Sequence, residues 1–204
     1  MAIFNPVMPI LSEILKLSDF VKTPLLCLGV QDIEKSEIPG VIPPEYKFNT
    51  MGEVFRDRGI ICDELDPFDT RAIHKWNLNE AVPSEAHEKY STILDYGCIE
   101  HIFDTKMVLE NCIRMLKVGG LYAIHCPVRH FIEHGLYTFS SETIPRALEA
   151  NGFEMIYQRF TTSSGVDAKM DGSDSTDVIG WYVGRKVKSF TSFVCPEQSR
   201  YQPK

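Results

Sequence analysis

The sequence predicts an α/β protein with a mostly parallel sheet covered by helices on both faces. Three observations predict it. Short apolar runs alternate with segments of helical period, several of the runs end in glycine, and the apolar content of 44%, with 11% aromatic, supplies a sizeable core. At 204 residues the chain is about the size of one domain, so a single domain over 1–204 is expected. Within it, 1–22 forms an N-terminal helix region and 188–204 a C-terminal tail.

The elements follow in order. Residues 10–21 bring Leu11, Ile14, Leu15 and Val21 near one face and predict a first helix. Pro24-Leu25-Leu26-Cys27-Leu28-Gly29 is a buried strand ended by glycine. The stretch from 33 to about 49 holds Pro39, Gly40, Pro43 and Pro44, which bar a regular helix. A short helix near 50–57 is closed by Gly59. Gly59-Ile60-Ile61-Cys62-Asp63 is a second strand, Ala72 to Trp76 a third, and Tyr90 to Tyr96 a fourth that runs into a tight segment at Gly97.

Asp104 caps the next helix, where Leu109, Cys112, Ile113 and Leu116 fall at i, i+3, i+4 and i+7. Gly119-Gly120 ends that helix and launches a fifth strand from Leu121 to Cys126. A capped helix begins near Ser140, carries Ile144, Ala147 and Leu148, and stops at Asn151-Gly152. Phe153 to Phe160 and Val178 to Val187 are the last two strands, joined by a Ser-, Thr-, Gly- and Asp-rich surface loop over 161–176.

Charge narrows the function. The net charge is −7, with −9 in residues 1–104 and +2 in residues 105–204. Neither half carries the basic stripe that neutralises a phosphate backbone, so no nucleic-acid partner is expected. No run of 18 apolar residues spans a membrane, and Pro6, Pro9 and Glu13 interrupt the N-terminal apolar stretch, so no membrane partner or signal peptide is expected. The six cysteines (27, 62, 98, 112, 126 and 195) form no C-x-x-C pair. Four of them sit in or beside apolar runs, as buried cysteines do, which points to a reducing, cytoplasmic setting.

Two stretches carry a family resemblance. Ile93-Leu94-Asp95-Tyr96-Gly97-Cys98-Ile99-Glu100-His101-Ile102, followed by Arg114-Met115-Leu116-Lys117-Val118-Gly119-Gly120, resembles the class I S-adenosylmethionine-dependent methyltransferases. There a fourth strand ends in an "LEH"-like turn, and a helix closes on an "LKPGG"-like segment; Val118 stands here for the usual proline. The run from His134-Gly135 to Phe139-Ser140, then a helix and Gly152-Phe153-Glu154, also matches. The resemblance covers roughly 22–187 and implies a Rossmann-like sheet of seven strands, the last antiparallel.

It also implies S-adenosyl-L-methionine as cofactor, bound at the carboxyl ends of the first strands. In the segment Leu28-Gly29-Val30-Gln31-Asp32 only the first glycine of the family's G-x-G-x-G remains, and Gln31 offers an amide where backbone amides normally serve. Asp66, with Asp63 behind it, matches the acid that accepts from the cofactor's ribose. Trp76-Asn77-Leu78-Asn79 matches the segment that meets the adenine, with Asn77 in place of aspartate and Leu78 beside it. Asp95 and Tyr96 complete the cofactor set. Gln31, Asp66 and Asn77 serve equally as loop or turn residues.

His101, just after the fourth strand, is the candidate general base, with an unperturbed pKa of about 6.5 suited to proton removal at neutral pH; its bland reading is a residue that starts the next helix. His130, His134 and Tyr137 are assigned to the pocket of a small-molecule acceptor of the sugar or secondary-metabolite class. The resemblance also poses a metal question at Glu100-His101, because some relatives place Glu-x-x-Glu-His here to hold a divalent ion. Gly97 stands at the first glutamate's position and removes a ligand, His125, His130 and His134 are further ligand types, and no metal is expected. Two functions remain. One is a methyltransferase acting on a small molecule, with a protein side chain also open as acceptor, the other a methyltransferase-like fold without catalysis that serves as a binding or scaffold subunit. A nucleotide-cofactor oxidoreductase is disfavoured by the absence of G-x-G-x-x-G.

Overall fold

The computed structural model describes residues 2–3, 8–17, 23–33, 49–171 and 176–199. The proline-bearing stretch 34–48, Val21 and the end of the C-terminal tail lie outside the described residues. Among the described residues, eight strands and four α-helices run in the order β1 (Ala2–Ile3), α1 (Met8–Leu15), β2 (Leu25–Leu28), β3 (Asp32–Ile33), α2 (Met51–Asp57), β4 (Cys62–Leu65), β5 (Tyr90–Tyr96), α3 (Thr105–Met115), β6 (Leu116–Arg129), α4 (Thr143–Ala150), β7 (Phe153–Thr162) and β8 (Val178–Lys186). Six of the strands form one sheet in the order β4-β2-β5-β6-β8-β7, and β1 pairs with β3 apart from it. Strands β4, β2, β5 and β6 are parallel, while β8 runs antiparallel to both β6 and β7.

The sheet has six strands where seven are expected. The missing one is 72–76, which makes only a single bridge, Leu65 to His74. Ala72, His74 and Trp76 turn inward while Ile73 is 54% exposed, and His74 exchanges hydrogen bonds with Glu64 O and Asp66 N, but the pairing extends to no second residue. The first helix is also shorter than expected, ending at Leu15. The Gly119-Gly120 pair lies inside β6 rather than ahead of it. Pairing jumps from Tyr90–Leu116 to Thr92–Leu121, so Lys117 to Gly120 bulge out of the ladder, with Gly119 at φ +83°. The helix expected from Ser140 starts at Thr143, because Ser140 instead accepts from the Glu142 and Thr143 amides through its side chain and carbonyl.

The central strands are buried on both faces, and alternate residues feed two cores. Leu26, Leu28, Ile93, Tyr122, Ile124 and Tyr182 face α3 and α4. Leu25, Cys27, Leu94, Ala123, Trp181 and Val183 face α1 and α2. Helix α3 is capped by the Asp104 side chain, which accepts from Met107 N at 2.9 Å, and buries Val108, Leu109, Cys112 and Ile113 along one face. Each such side chain contributes roughly 1.5–3 kcal/mol. At its far end the buried Lys186 ammonium donates to Ile113 O and Leu116 O, at 2.9 and 2.6 Å, and closes the last carbonyls.

Register positions the site. Leu28 is level with both Leu65 and Asp95, so the carboxyl ends of β2, β4 and β5 finish in one row. Among the described residues no helix is long and apolar enough to cross a membrane.

Candidate active site

At that row of strand ends the chain leaves a cleft of about 470 Å³. Gly29, Leu65, Asp66, Pro67, Phe68, Asn77, Leu78, Asn79, Cys98, His101 and Ile102 line it. Its floor is the turn after β2, where Gly29 takes φ +78° and donates its amide to Leu65 O at 2.7 Å. That left-handed conformation suits glycine and strains other residues. Leu78 is buried beneath the cleft.

The acids near the end of β4 divide their work. Asp66 lines the cleft, and its Oδ1 accepts from the amides of Phe68 and Asp69 at 2.9 and 3.0 Å. This turn sets Phe68, 92% exposed, at the rim, and leaves Oδ2 without a donor among the described residues. Asp63 instead accepts from Lys89 and Tyr90 and meets His74, at 2.9, 2.7 and 3.0 Å. Burial opposes its ionisation, but the hydrogen bonds from Lys89, His74 and Tyr90 hold its carboxyl below the ordinary value. Glu64 is buried against Arg56 at 2.9 Å. Of the three, Asp66 is the one in the cleft.

Beside the cleft, Glu100, His101 and His134 gather, one ligand-type atom from each lying within 4.8 Å of the others. Glu100 is 1% exposed, and its Oε2 has no hydrogen-bond partner. Burial, reinforced by the nearby Asp95 charge, pushes its carboxyl up to about 8. His134 Nε2 is 3.8 Å from Glu100 Oε1, and the two imidazole rings are 5.2 Å apart. Partial burial and the neighbouring His134 lower the pKa of His101.

No known family pattern matches the sequence, and no curated protein matches it. Solved structures do match the fold. The 1,6-didemethyltoxoflavin-N1-methyltransferase of Burkholderia thailandensis, with 1,6-didemethyltoxoflavin and S-adenosylhomocysteine bound, superposes with a TM-score of 0.56 at 13% identity, over 89% of this chain and 79% of that one. A SAM-dependent methyltransferase of Methanosarcina mazei gives 0.54 at 11% identity, over 92% and 99%. A third, from Archaeoglobus fulgidus, gives 0.51 at 13% identity, over 88% and 94%. The fold is that of the class I methyltransferases.

On this methyltransferase fold the residues singled out from the sequence fall into three places. Gly29, Asp66, Asn77, Leu78 and His101 line the cleft. Asn77 also acts as a turn residue, its Oδ1 accepting from Asn79 N and Nδ2, both at 3.1 Å. Gln31, Asp95 and Tyr96 are buried outside the cleft lining. The Gln31 amide donates to Leu28 O at 3.4 Å, and its Oε1 has no partner. Asp95 is committed to the turn after β5, accepting from Cys98 N, Ile99 N and the Tyr122 hydroxyl at 3.0, 3.2 and 3.0 Å. Burial still outweighs those donors and raises its pKa to about 6. Tyr96 packs edge-on against His125 and Trp181.

The third place is the loop after β6. His130 is exposed, His134 stands over Glu100, and the Tyr137 hydroxyl donates to Phe103 O at 2.9 Å. Sequence reasoning did not place Pro67, Phe68, Asn79, Cys98 or Ile102 at the cleft, and raised Glu100 only in the metal question. The signal for Phe68 is Asp66-Pro67-Phe68-Asp69, a turn written by an aspartate that caps its own downstream amides. No comparable local signal exists for Cys98 or Ile102.

Proposed function

We propose that the chain is an S-adenosyl-L-methionine-dependent methyltransferase that acts on a small-molecule acceptor. The observation that carries this reading is the cleft at the level ends of β2, β4 and β5, with Gly29 on its floor and an Asp66 oxygen left without a donor. The residues fit the cofactor. Asp66 Oδ2 accepts from the ribose hydroxyls, Gly29 lets the cofactor approach the backbone, and Leu78 with Asn77 receives the adenine. Gln31, buried outside the cleft lining with its amide donating to Leu28 O, makes no cofactor contact in this reading.

When bound, the cofactor supplies a methyl group activated on a sulfonium sulfur. What the chain must add is placement of the acceptor in line with it, and a proton acceptor where the nucleophile carries a proton. His101 takes that second role: it lines the cleft, and its lowered pKa keeps the imidazole neutral and able to accept near pH 7. His130, His134 and Tyr137, on the loop after β6 and outside the cleft lining, are the residues this reading assigns to the acceptor. The compact chain and its acidic charge support a small acceptor over nucleic acid, and its free thiols support a reducing, cytoplasmic setting.

The test is a titration of the purified protein with S-adenosylhomocysteine, followed by thermal unfolding and calorimetry. A saturable shift that Asp66→Ala weakens without unfolding the protein supports the reading. No heat and no shift at millimolar ligand overturns it in favour of a binding or scaffold subunit.

A further inference from the structure

We propose that Glu100, His101 and His134 form a divalent transition-metal site at the rim of the cleft. The donor set is one carboxylate oxygen and two imidazole nitrogens, gathered within 4.8 Å of one another. Metal–ligand bonds of about 2.0–2.2 Å bring donors on one ion within roughly 4 Å of each other, so the cluster needs only a slight contraction. The two histidines supply it: His134 has a side chain 49% exposed, and His101 is also exposed.

The independent sign of a ligand is Glu100 itself. Its side chain is 1% exposed, yet Oε2 has no donor, and its nearest basic group is His134 at 3.8 Å. A buried carboxylate in that condition lacks the positive partner that offsets its desolvation. A cation supplies it.

The fold holds this arrangement against strain. His130, Phe131 and Glu133 all take left-handed φ, at 58°, 54° and 62°. The loop is then tied down by Leu136 N and Tyr137 N, which donate to Glu100 O at 2.8 and 3.3 Å, and Gly135 passes so close that a Cβ would sit 3.0 Å from that carbonyl. His134 is thus fastened to the residue it would share an ion with.

Two imidazoles and one carboxylate select zinc, manganese, cobalt or nickel over magnesium or calcium, which favour all-oxygen sites. Three protein donors leave coordination positions open for an outside ligand. Because His101 belongs to both the cluster and the cleft, that ligand is an oxygen of the acceptor, a hydroxyl whose proton the ion makes more acidic and solvent takes up; a His101 that holds the ion no longer serves as the proton acceptor. This last use rests on the methyltransferase reading; binding of the ion does not.

The experiment takes the full chain, stripped with a chelator, and titrates it with Co²⁺, Zn²⁺ and Mn²⁺ by calorimetry, with the visible absorption of Co²⁺ as a second readout. One equivalent is expected to bind with a d–d band of nitrogen and oxygen ligation. His134→Ala and Glu100→Gln should each weaken binding tenfold or more, while His87→Ala, at an exposed histidine elsewhere, should leave it unchanged. His134 is exposed, so its variant tests the site even if Glu100→Gln fails to fold. No saturable site at millimolar metal, or binding that survives His134→Ala undiminished, overturns the proposal. S-adenosylhomocysteine binding is measured separately, so a protein that binds the nucleoside but no metal fails only this inference, and one that binds metal alone fails only the methyltransferase reading.

Discussion

Asp63 and Asp66 stand three residues apart at the end of one strand, and their surroundings give them opposite duties. Lys89, Tyr90 and His74 all meet Asp63 at Oδ2 and tie it into the structure away from the cleft, whereas Asp66 spends Oδ1 on its own turn and lines the cleft. Asp66→Ala is therefore expected to weaken S-adenosylhomocysteine binding about tenfold to a hundredfold, in line with ~1.5–3 kcal/mol for hydrogen bonds to a charged group, as measured by calorimetry. Asp63→Ala should lower thermal stability and leave that affinity within about twofold.

His125 sets an acid limit. Both ring nitrogens are shut off from water without partners, and burial, with the neighbouring His134 charge, lowers its pKa from 6.5 to about 4. The unfolded chain binds this proton first as pH falls, so the native state loses stability between about pH 6.5 and 4. Asp95 works in the opposite sense: its raised folded pKa, about 6, means that the native state takes up a proton first as pH falls from 6 toward 3.8. Against that shared background, wild type should lose about 2–3 kcal/mol more than His125→Phe between pH 7 and 4.5, measured by urea unfolding at each pH.

At the scale of elements, Lys186 on β8 and helix α3 depend on each other. The ammonium is buried only because two carbonyls at the helix end receive it, and burial lowers its pKa. Lys186→Met should destabilise the protein by roughly 2–4 kcal/mol, because it leaves Ile113 O and Leu116 O without a donor in a buried place; chemical denaturation measures this.

Elements were legible where their own residues decide them. The strands around Leu25–Leu28 and Tyr90–Tyr96 are apolar enough to demand burial, and Asp104 announces α3 by its cap. Residues 72–76 mislead because their alternation yields only a single bridge to β4 at His74, and one bridge does not make a strand of the sheet. The loop that brings His134 to Glu100 could not be read at all. It requires left-handed backbone at three non-glycine residues and is held by amides 36 and 37 positions from Glu100 in sequence, so only the tertiary contact reveals it.

For the whole molecule, ligand binding and folding are one equilibrium. S-adenosylhomocysteine at about 100 times its dissociation constant should stabilise the native state by about 2.7 kcal/mol, a rise of roughly 5–11 °C in Tm for a chain of this size. Scanning calorimetry across a ligand series checks both the rise and its logarithmic dependence on concentration. The parallel half of the sheet was readable from sequence, whereas the level strand ends follow from a register that only the folded chain shows. The strand count was not readable either, since a sheet's width is settled by packing between distant segments.

The place of β8 has a consequence for how the protein is made. Translation delivers β6, then β7, and only afterwards the strand that fits between them. Until the ribosome has released residues 178–186, both earlier strands present open edges, and each is a template for another nascent chain. A product cut short before Val178 should therefore collect in inclusion bodies, while a chain that carries β8 closes its own seam.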